Sequence, residues 1–261
     1  MKLHRNLRFV KQQGFTLLEL LIVVLILGIV TGAVFSQMGA VQQRMSAEQV
    51  KIDDLQQARD FVDQFFRDIN QIGDPNTHIF DATTGATWTP PLLPQLTYSW
   101  ASPYINDSRF AIGLVKIDSN ELHFEGSVNG VGTVQSVIYM LNGSGNCTLC
   151  MQRSQVDKIT ADPLTGQATN WGTEVNDVTT PAIFTYFKTD GTQVTGLPVD
   201  YTTAAGAQTL AAIKTVHISL RIRNPQVLDQ KTGQPIETSF EGEVSLNNCS
   251  MAATAMAMSC N

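Results

Sequence analysis

The chain has 261 residues, 43% of them hydrophobic and 15% charged, with a formal net charge of −6 at pH 7. That length supports one or two domains with a sizeable core, and the apolar content excludes a wholly disordered chain. A mean hydropathy of −0.02 excludes a polytopic membrane protein. The excess of acids (23 against 17 bases) argues against nucleic acid as a partner, because phosphate-backbone binding needs positive charge.

The composition is segregated along the chain. Residues 1–14 (MKLHRNLRFVKQQG) carry Lys2, Arg5, Arg8 and Lys11 and no acid, a formal charge of +4. Residues 15–35 (FTLLELLIVVLILGIVTGAVF) hold one charged side chain, Glu19. At 1.5 Å per residue this run spans roughly 30 Å, the thickness of a bilayer hydrocarbon core. Basic residues ahead of an apolar span keep the N-terminus in the cytoplasm and send the rest outward. A secretory signal peptide would be cut after the apolar run at small residues, where Gly32-Ala33 offers a poor site. Neither a signal peptide nor a plain anchor accounts for Glu19. A carboxylate costs on the order of 2.5–3.5 kcal/mol at the bilayer centre and less near its edge, so one retained there marks function and calls for a partner.

Gly14-Phe15-Thr16-Leu17-Leu18-Glu19, followed by the apolar run, resembles the class III signal of type IV prepilins and type II secretion pseudopilins. The resemblance implies that a prepilin peptidase cuts between Gly14 and Phe15 on the cytoplasmic side and N-methylates Phe15. Residues 1–14 are then a cleaved leader and 15–35 a transmembrane and filament-core helix. The mature chain loses four bases and no acid, which takes the net charge from −6 to −10. Glu19 of one subunit would neutralise the Phe15 amine of its neighbour and so set the assembly register, since an unpaired charge in low dielectric is heavily penalised. Leu17, Leu18, Leu20, Leu21, Ile22 and Val24 are expected to pack in the filament core. The partners implied are other pilin or pseudopilin subunits in a heterologous, non-closing helical array, the prepilin peptidase, and an inner-membrane assembly platform with its ATPase. The expected location is a single pass in the inner (cytoplasmic) membrane with an exported C-terminal domain, then a pilus or pseudopilus.

Residues 36–72 contain no proline, and Ile52, Leu55, Val62, Phe65 and Ile69, with Ala58 and Phe66, recur at near-helical spacing. Polar side chains fill the opposite side, so this is the amphipathic continuation of the helix, packed on the domain that follows. Gly73-Asp74-Pro75 is a stop. One helix is therefore predicted from about residue 15 to residue 72. Many major pilins carry a helix-kinking proline about one turn beyond the membrane core. Here Ser36 stands near that point, which favours a minor pilin.

Residues 73–261 read as a β-rich exported domain. Strands are predicted at Leu122-His123-Phe124-Glu125, 133–141, 148–153, 182–188, 216–223 and around Phe240, Val244 and Leu246. Asn142-Gly143-Ser144-Gly145-Asn146 suits a hairpin turn, residues 224–236 a connecting loop, and residues 207–214 a short helix. The connections suit antiparallel pairing. A long N-terminal helix followed by an antiparallel sheet is the α+β pilin fold, and the finer pattern resembles the PilW/GspJ-like branch, through QQARDFVDQFFRDINQIG, SVIYML and VHISLRIR.

Cys147, Cys150, Cys249 and Cys260 all lie in the exported part, where disulfides form. Proximity favours Cys147–Cys150 with Cys249–Cys260; linking the hairpin to the C-terminus is the alternative. The single C-x-x-C lacks a second for zinc and a βαβ context for redox work. His78, His123 and His217 show no metal spacing and read as solvated. No cofactor is expected, since G-x-S-x-G, H-E-x-x-H, P-loop and EF-hand patterns are missing from the sequence. His217, Arg221 and Arg223 form a short basic row, read as a solvated strand face. The expected function is a non-enzymatic assembly subunit of a type IV pilus. A type II secretion pseudopilin, or a tip adhesin or DNA-uptake receptor on the same scaffold, is the alternative.

Overall fold

The computed structural model describes Gly14 and residues 16–74, 105–109, 111–142, 149–229 and 232–246. The chain divides into two compact units, Met1–Gln49 and Val50–Asn261. A single helix, α1 (Leu17–Ile69), begins in the first and ends in the second.

From Leu20 to Phe35 α1 is apolar all round apart from Thr31, and no charged side chain stands between Glu19 and Arg44. Its large side chains stand exposed, as expected of a helix whose surroundings are lipid or other subunits. Thr31, inside this stretch, satisfies its hydroxyl by donating to the Leu27 carbonyl at 2.6 Å.

In the second unit α1 becomes one-sided. Ala58, Phe61, Val62, Phe65, Asp68 and Ile69 are buried, a spacing of three and four that marks one face. Ile52 and Leu55, predicted on that stripe, remain 53% and 41% exposed. The buried face starts only at Ala58, and Phe61 takes a place the periodicity did not assign. The helix ends at Ile69, three residues before the predicted limit, because the backbone tightens: Gln71 N–H donates to Asp68 O (3.0 Å) and Ile72 N–H to Ile69 O (3.2 Å). Gly73 then turns with φ +76°, and its N–H reaches Glu125 O at 2.9 Å.

The strands are β1 (Leu114–Ile117), β2 (Glu121–Gly126), β3 (Gln135–Leu141), β4 (Met151–Asp157), β5 (Trp171–Val175), β6 (Phe184–Lys188) and β7 (Val199–Asp200). They are followed by the helix α2 (Ala204–Ala212) and strands β8 (Ile213–Leu228) and β9 (Pro235–Ser245). Two antiparallel sheets result, one in the order β5-β4-β3-β2-β1-β7 and one in the order β6-β8-β9. This is the α+β, pilin-like architecture expected from the sequence: a long N-terminal apolar helix with antiparallel sheets.

The end of α1 lies against both sheets. Tyr139 of β3 meets Phe61 and Phe65 edge-on at 5.8 and 5.3 Å between centroids, while Phe65 stacks on Phe184 of β6 at 5.6 Å. Gly126 of β2 lets the chain after α1 cross the sheet: a Cβ there would sit 2.1 Å from Gln71 O. Tyr186 of β6 ties the sheets together by donating to Asp118 O (2.9 Å) and Glu121 O (3.1 Å).

Strands β2, β3 and β6 stand where alternation predicted them, and β8 repeats it with Val216, Ile218, Leu220 and Ile222 buried. Four limits differ. β4 begins three residues later than predicted and runs on to Asp157, paired along its whole length with β3. The helix α2 starts earlier, capped by the Thr203 side chain, and yields Ile213 and Lys214 to β8. The predicted loop over 224–236 shrinks to 229–234, because β8 continues through Asn224-Pro225 by means of a register shift between Asn224 and Leu228. Proline lacks a ladder donor and is tolerated at such an irregularity. Strands β1, β5 and β7 were not foreseen; they are short and carry little alternation.

Candidate functional site

The sequence places its functional chemistry at the start of α1, and the local geometry there follows from residue type. Thr16 precedes the first helical residue. Its Oγ1 accepts from Glu19 N–H at 3.3 Å, and its carbonyl accepts from Glu19 N–H (3.1 Å) and Leu20 N–H (3.2 Å). Thr16 is thus the cap and Glu19 the third residue of the first turn, the T-x-x-E spacing of a capping box. In hydrocarbon an unsatisfied N–H costs several kcal/mol, so a side-chain cap matters more there than in water. Glu19 is exposed, and its carboxylate stands at the positive end of the helix dipole. One turn therefore carries both the cap and the charge.

Gly14, two residues before the cap, is exposed, and a Cβ built on it meets nothing within 4 Å. Phe15 lies outside the described residues. The residues expected in a filament core, Leu17, Leu18, Leu20, Leu21, Ile22 and Val24, are between 49% and 84% exposed. Among the described residues one helix, α1, is long and apolar enough to cross a membrane.

Two buried polar clusters in the second unit escaped sequence reasoning. In the first, Asp68 of α1 accepts from Tyr139 Oη (2.7 Å), from Arg153 Nε (2.8 Å) and Nη2 (2.6 Å), and from Gln64 Nε2 (2.6 Å). Burial, reinforced by the neighbouring Asp68 charge, pushes the Tyr139 phenol well above its ordinary value, so the hydroxyl stays protonated and donates. This cluster fixes α1 to β3 and β4. Beside it lies a polar cleft of about 690 Å³ lined by Asp60, Gln64, Arg67, Arg153 and Glu174 among others. Burial pushes the Glu174 carboxyl up, with Arg153 acting in the opposite sense.

In the second cluster, Lys158 Nζ lies 2.7 Å from Glu125 Oε2 and 2.8 Å from Ile105 O, with both side chains fully buried. Ile112 N–H adds a bond to Glu125 Oε2 at 3.0 Å. Burial pushes the Glu125 carboxyl up, and Lys158 opposes that. These groups sit on β2 and just after β4, where alternation alone cannot show that both sheet faces are covered.

The histidines differ from expectation. His123 is buried at 2% exposure rather than solvated, with Nε2 2.9 Å from Ser136 Oγ, and desolvation lowers its pKa to about 3. His217 is half-buried on β8, and His78 lies outside the described residues. Arg221 and Arg223 of the basic row share the single carboxylate of Glu237, each at 2.9 Å, and both side chains stay exposed. Cys150, buried one residue before β4, is disulfide-bonded. Cys147, Cys249 and Cys260 lie outside the described residues. Among the described residues no group of three or more His, Cys, Asp or Glu side chains is placed to hold a metal ion.

Residues 10–35 match the family model of the prokaryotic N-terminal methylation motif. The match brackets Gly14, Thr16 and Glu19, and it supports a type IV prepilin-like protein, a substrate of prepilin peptidase that assembles with other pilins. With the exposed apolar helix it fits a membrane-anchored chain later built into a fibre. No curated protein and no solved structure matches the chain.

Proposed function

We propose that this chain is a minor pilin of the PilW/GspJ-like branch, acting as a non-enzymatic subunit that primes or tips a type IV pilus. Cleavage falls between Gly14 and Phe15, and Phe15 is then N-methylated. The observation that carries this reading is the capped first turn, Thr16 to Glu19, at the head of an apolar and exposed helix inside the matched motif. The absence of proline from α1 supports a minor over a major subunit. In the fibre Glu19 neutralises the Phe15 amine of a neighbour, and Leu17, Leu18, Leu20, Leu21, Ile22 and Val24 pack against other helices. Cys150 pairs either with Cys147 or with a cysteine of the C-terminal segment, which staples the hairpin locally or to the chain end.

The test is Glu19→Ala. The variant is expected to reach the membrane at wild-type level and to be depleted from sheared fibres. Normal incorporation would remove the register role of Glu19. If the wild-type chain is missing from surface fibres and its deletion instead blocks release of exported hydrolases, the subunit belongs to a secretion pseudopilus.

A further inference from the structure

We propose that the outer edge of β9 is a docking site for an extended, basic segment of another polypeptide, which adds to the three-stranded sheet as a fourth strand. The inference does not rest on how the N-terminus is processed.

β9 is eleven residues long and forms one edge of its sheet. The direction of its backbone groups follows from β8. Ser219 N–H donates to Ile183 O (2.9 Å), Arg221 N–H to Thr180 Oγ1 (2.6 Å) and Arg223 N–H to Asp177 O (2.9 Å), all away from β9. The even-numbered residues of β8 therefore carry the ladder to β9, and their partners there are Thr238, Phe240, Gly242 and Val244. The N–H and C=O groups of Glu237, Ser239, Glu241, Glu243 and Ser245 consequently point outward. All five residues are exposed, and among the described residues no hydrogen bond reaches their outward backbone groups.

The other sheet edges are closed or short. At the start of β6, the N–H groups of Ile183, just before the strand, and of Phe184 donate to Ser119 O, and within β6 Tyr186 O accepts from Val194 N–H. β7 has two residues, and β5 has five with a register shift against β4. Natural edges are blunted by shortness, bulges, proline or charged side chains. β9 is long, and it carries Pro235 at its first position and three glutamates, whose charge repels an acidic strand but not a basic one.

Charge selects the occupant. Alternation sets Glu237, Glu241 and Glu243 on one face of β9. Glu237 is met by Arg221 and Arg223, whereas Glu241 and Glu243 stand opposite Ser219 and His217 and form no ion pair among the described residues. A strand with Lys or Arg at alternate positions would set cations beside Glu241 and Glu243 while its backbone took the free edge; opposite charges across a ladder stabilise and like charges destabilise. A second copy of β9 would bring acid against acid, so the occupant is a different chain.

The probe is a capped peptide of about eight alternating Lys and Val residues, a usual strand length, with a Glu–Val peptide as control. Each is added to the full chain in detergent micelles and read by site-resolved hydrogen exchange. The Lys–Val peptide is expected to slow exchange at Ser239, Glu241 and Glu243, and the Glu–Val peptide to leave it unchanged. Ser239→Pro removes an outward N–H but no ladder bond, and should weaken binding about tenfold with the fold intact. Glu241→Lys with Glu243→Lys should reverse the preference between the peptides. Unchanged exchange along β9, equal affinity for the two peptides, or binding indifferent to Ser239→Pro would overturn the proposal.

Discussion

Replacing Asp68 by alanine tests how the end of α1 is held. Its side chain is 1% exposed and accepts four hydrogen bonds, two of them from Arg153, whose own side chain is 13% exposed. Removing the carboxylate strands the guanidinium and the Tyr139 hydroxyl in a site largely closed to water. Breaking a buried pair on one side costs about 3–5 kcal/mol, and the residual exposure of Arg153 points to the low end, about 3 kcal/mol. For a domain of this size that is a fall in Tm of about 6–12 °C. Thermal unfolding followed by near-UV circular dichroism reads it. Asp68→Ala with Arg153→Met should recover most of the loss, because the two single changes share one interaction. A fall below about 2 °C, or a double variant as unstable as the sum of the singles, would refute the assignment of this cluster as the anchor of α1.

Two further outcomes follow from buried groups. His123 has a folded pKa of about 3 against about 6.5 when unfolded. The unfolded chain therefore binds the proton first, and stability present above pH 6.5 drains as the pH falls toward 3. Between pH 7 and pH 4.5 urea unfolding should show about 2–3 kcal/mol more loss in the wild type than in His123→Gln; equal losses would contradict it. Gly126→Ala should destabilise by about 1–3 kcal/mol or more, since the new methyl meets backbone atoms of Gln71 and Ile72 that cannot rotate away. A neutral result in the same urea assay would show that this crossing is loose.

The N-terminal part of the account was legible because covalent order carries it. Thr16, Glu19 and the apolar run lie within one stretch, so spacing alone announces the capped turn and the exposed helix. Strands β6 and β8 were legible for a related reason: one buried face imposes period two, as Val216 to Ile222 show. The anchor was not. Asp68, Tyr139 and Arg153 are separated by 71 and 14 residues, and a lone aspartate on the helix reads as solvated. His123 and Glu125 were hidden similarly, because alternation assigns them to an outer face and cannot reveal what covers it. Ile52 and Leu55 show the converse limit, where periodicity marks a face but not how far along the helix the domain reaches.

The central claim is that this chain is a prepilin whose apolar helix is kept while its basic leader is lost. Mass analysis of the mature N-terminus tests it most directly. The account predicts loss of residues 1–14 and a terminal Phe15 bearing one added methyl group. An N-terminus that retains Met1, or one that begins after Ala33, would contradict it.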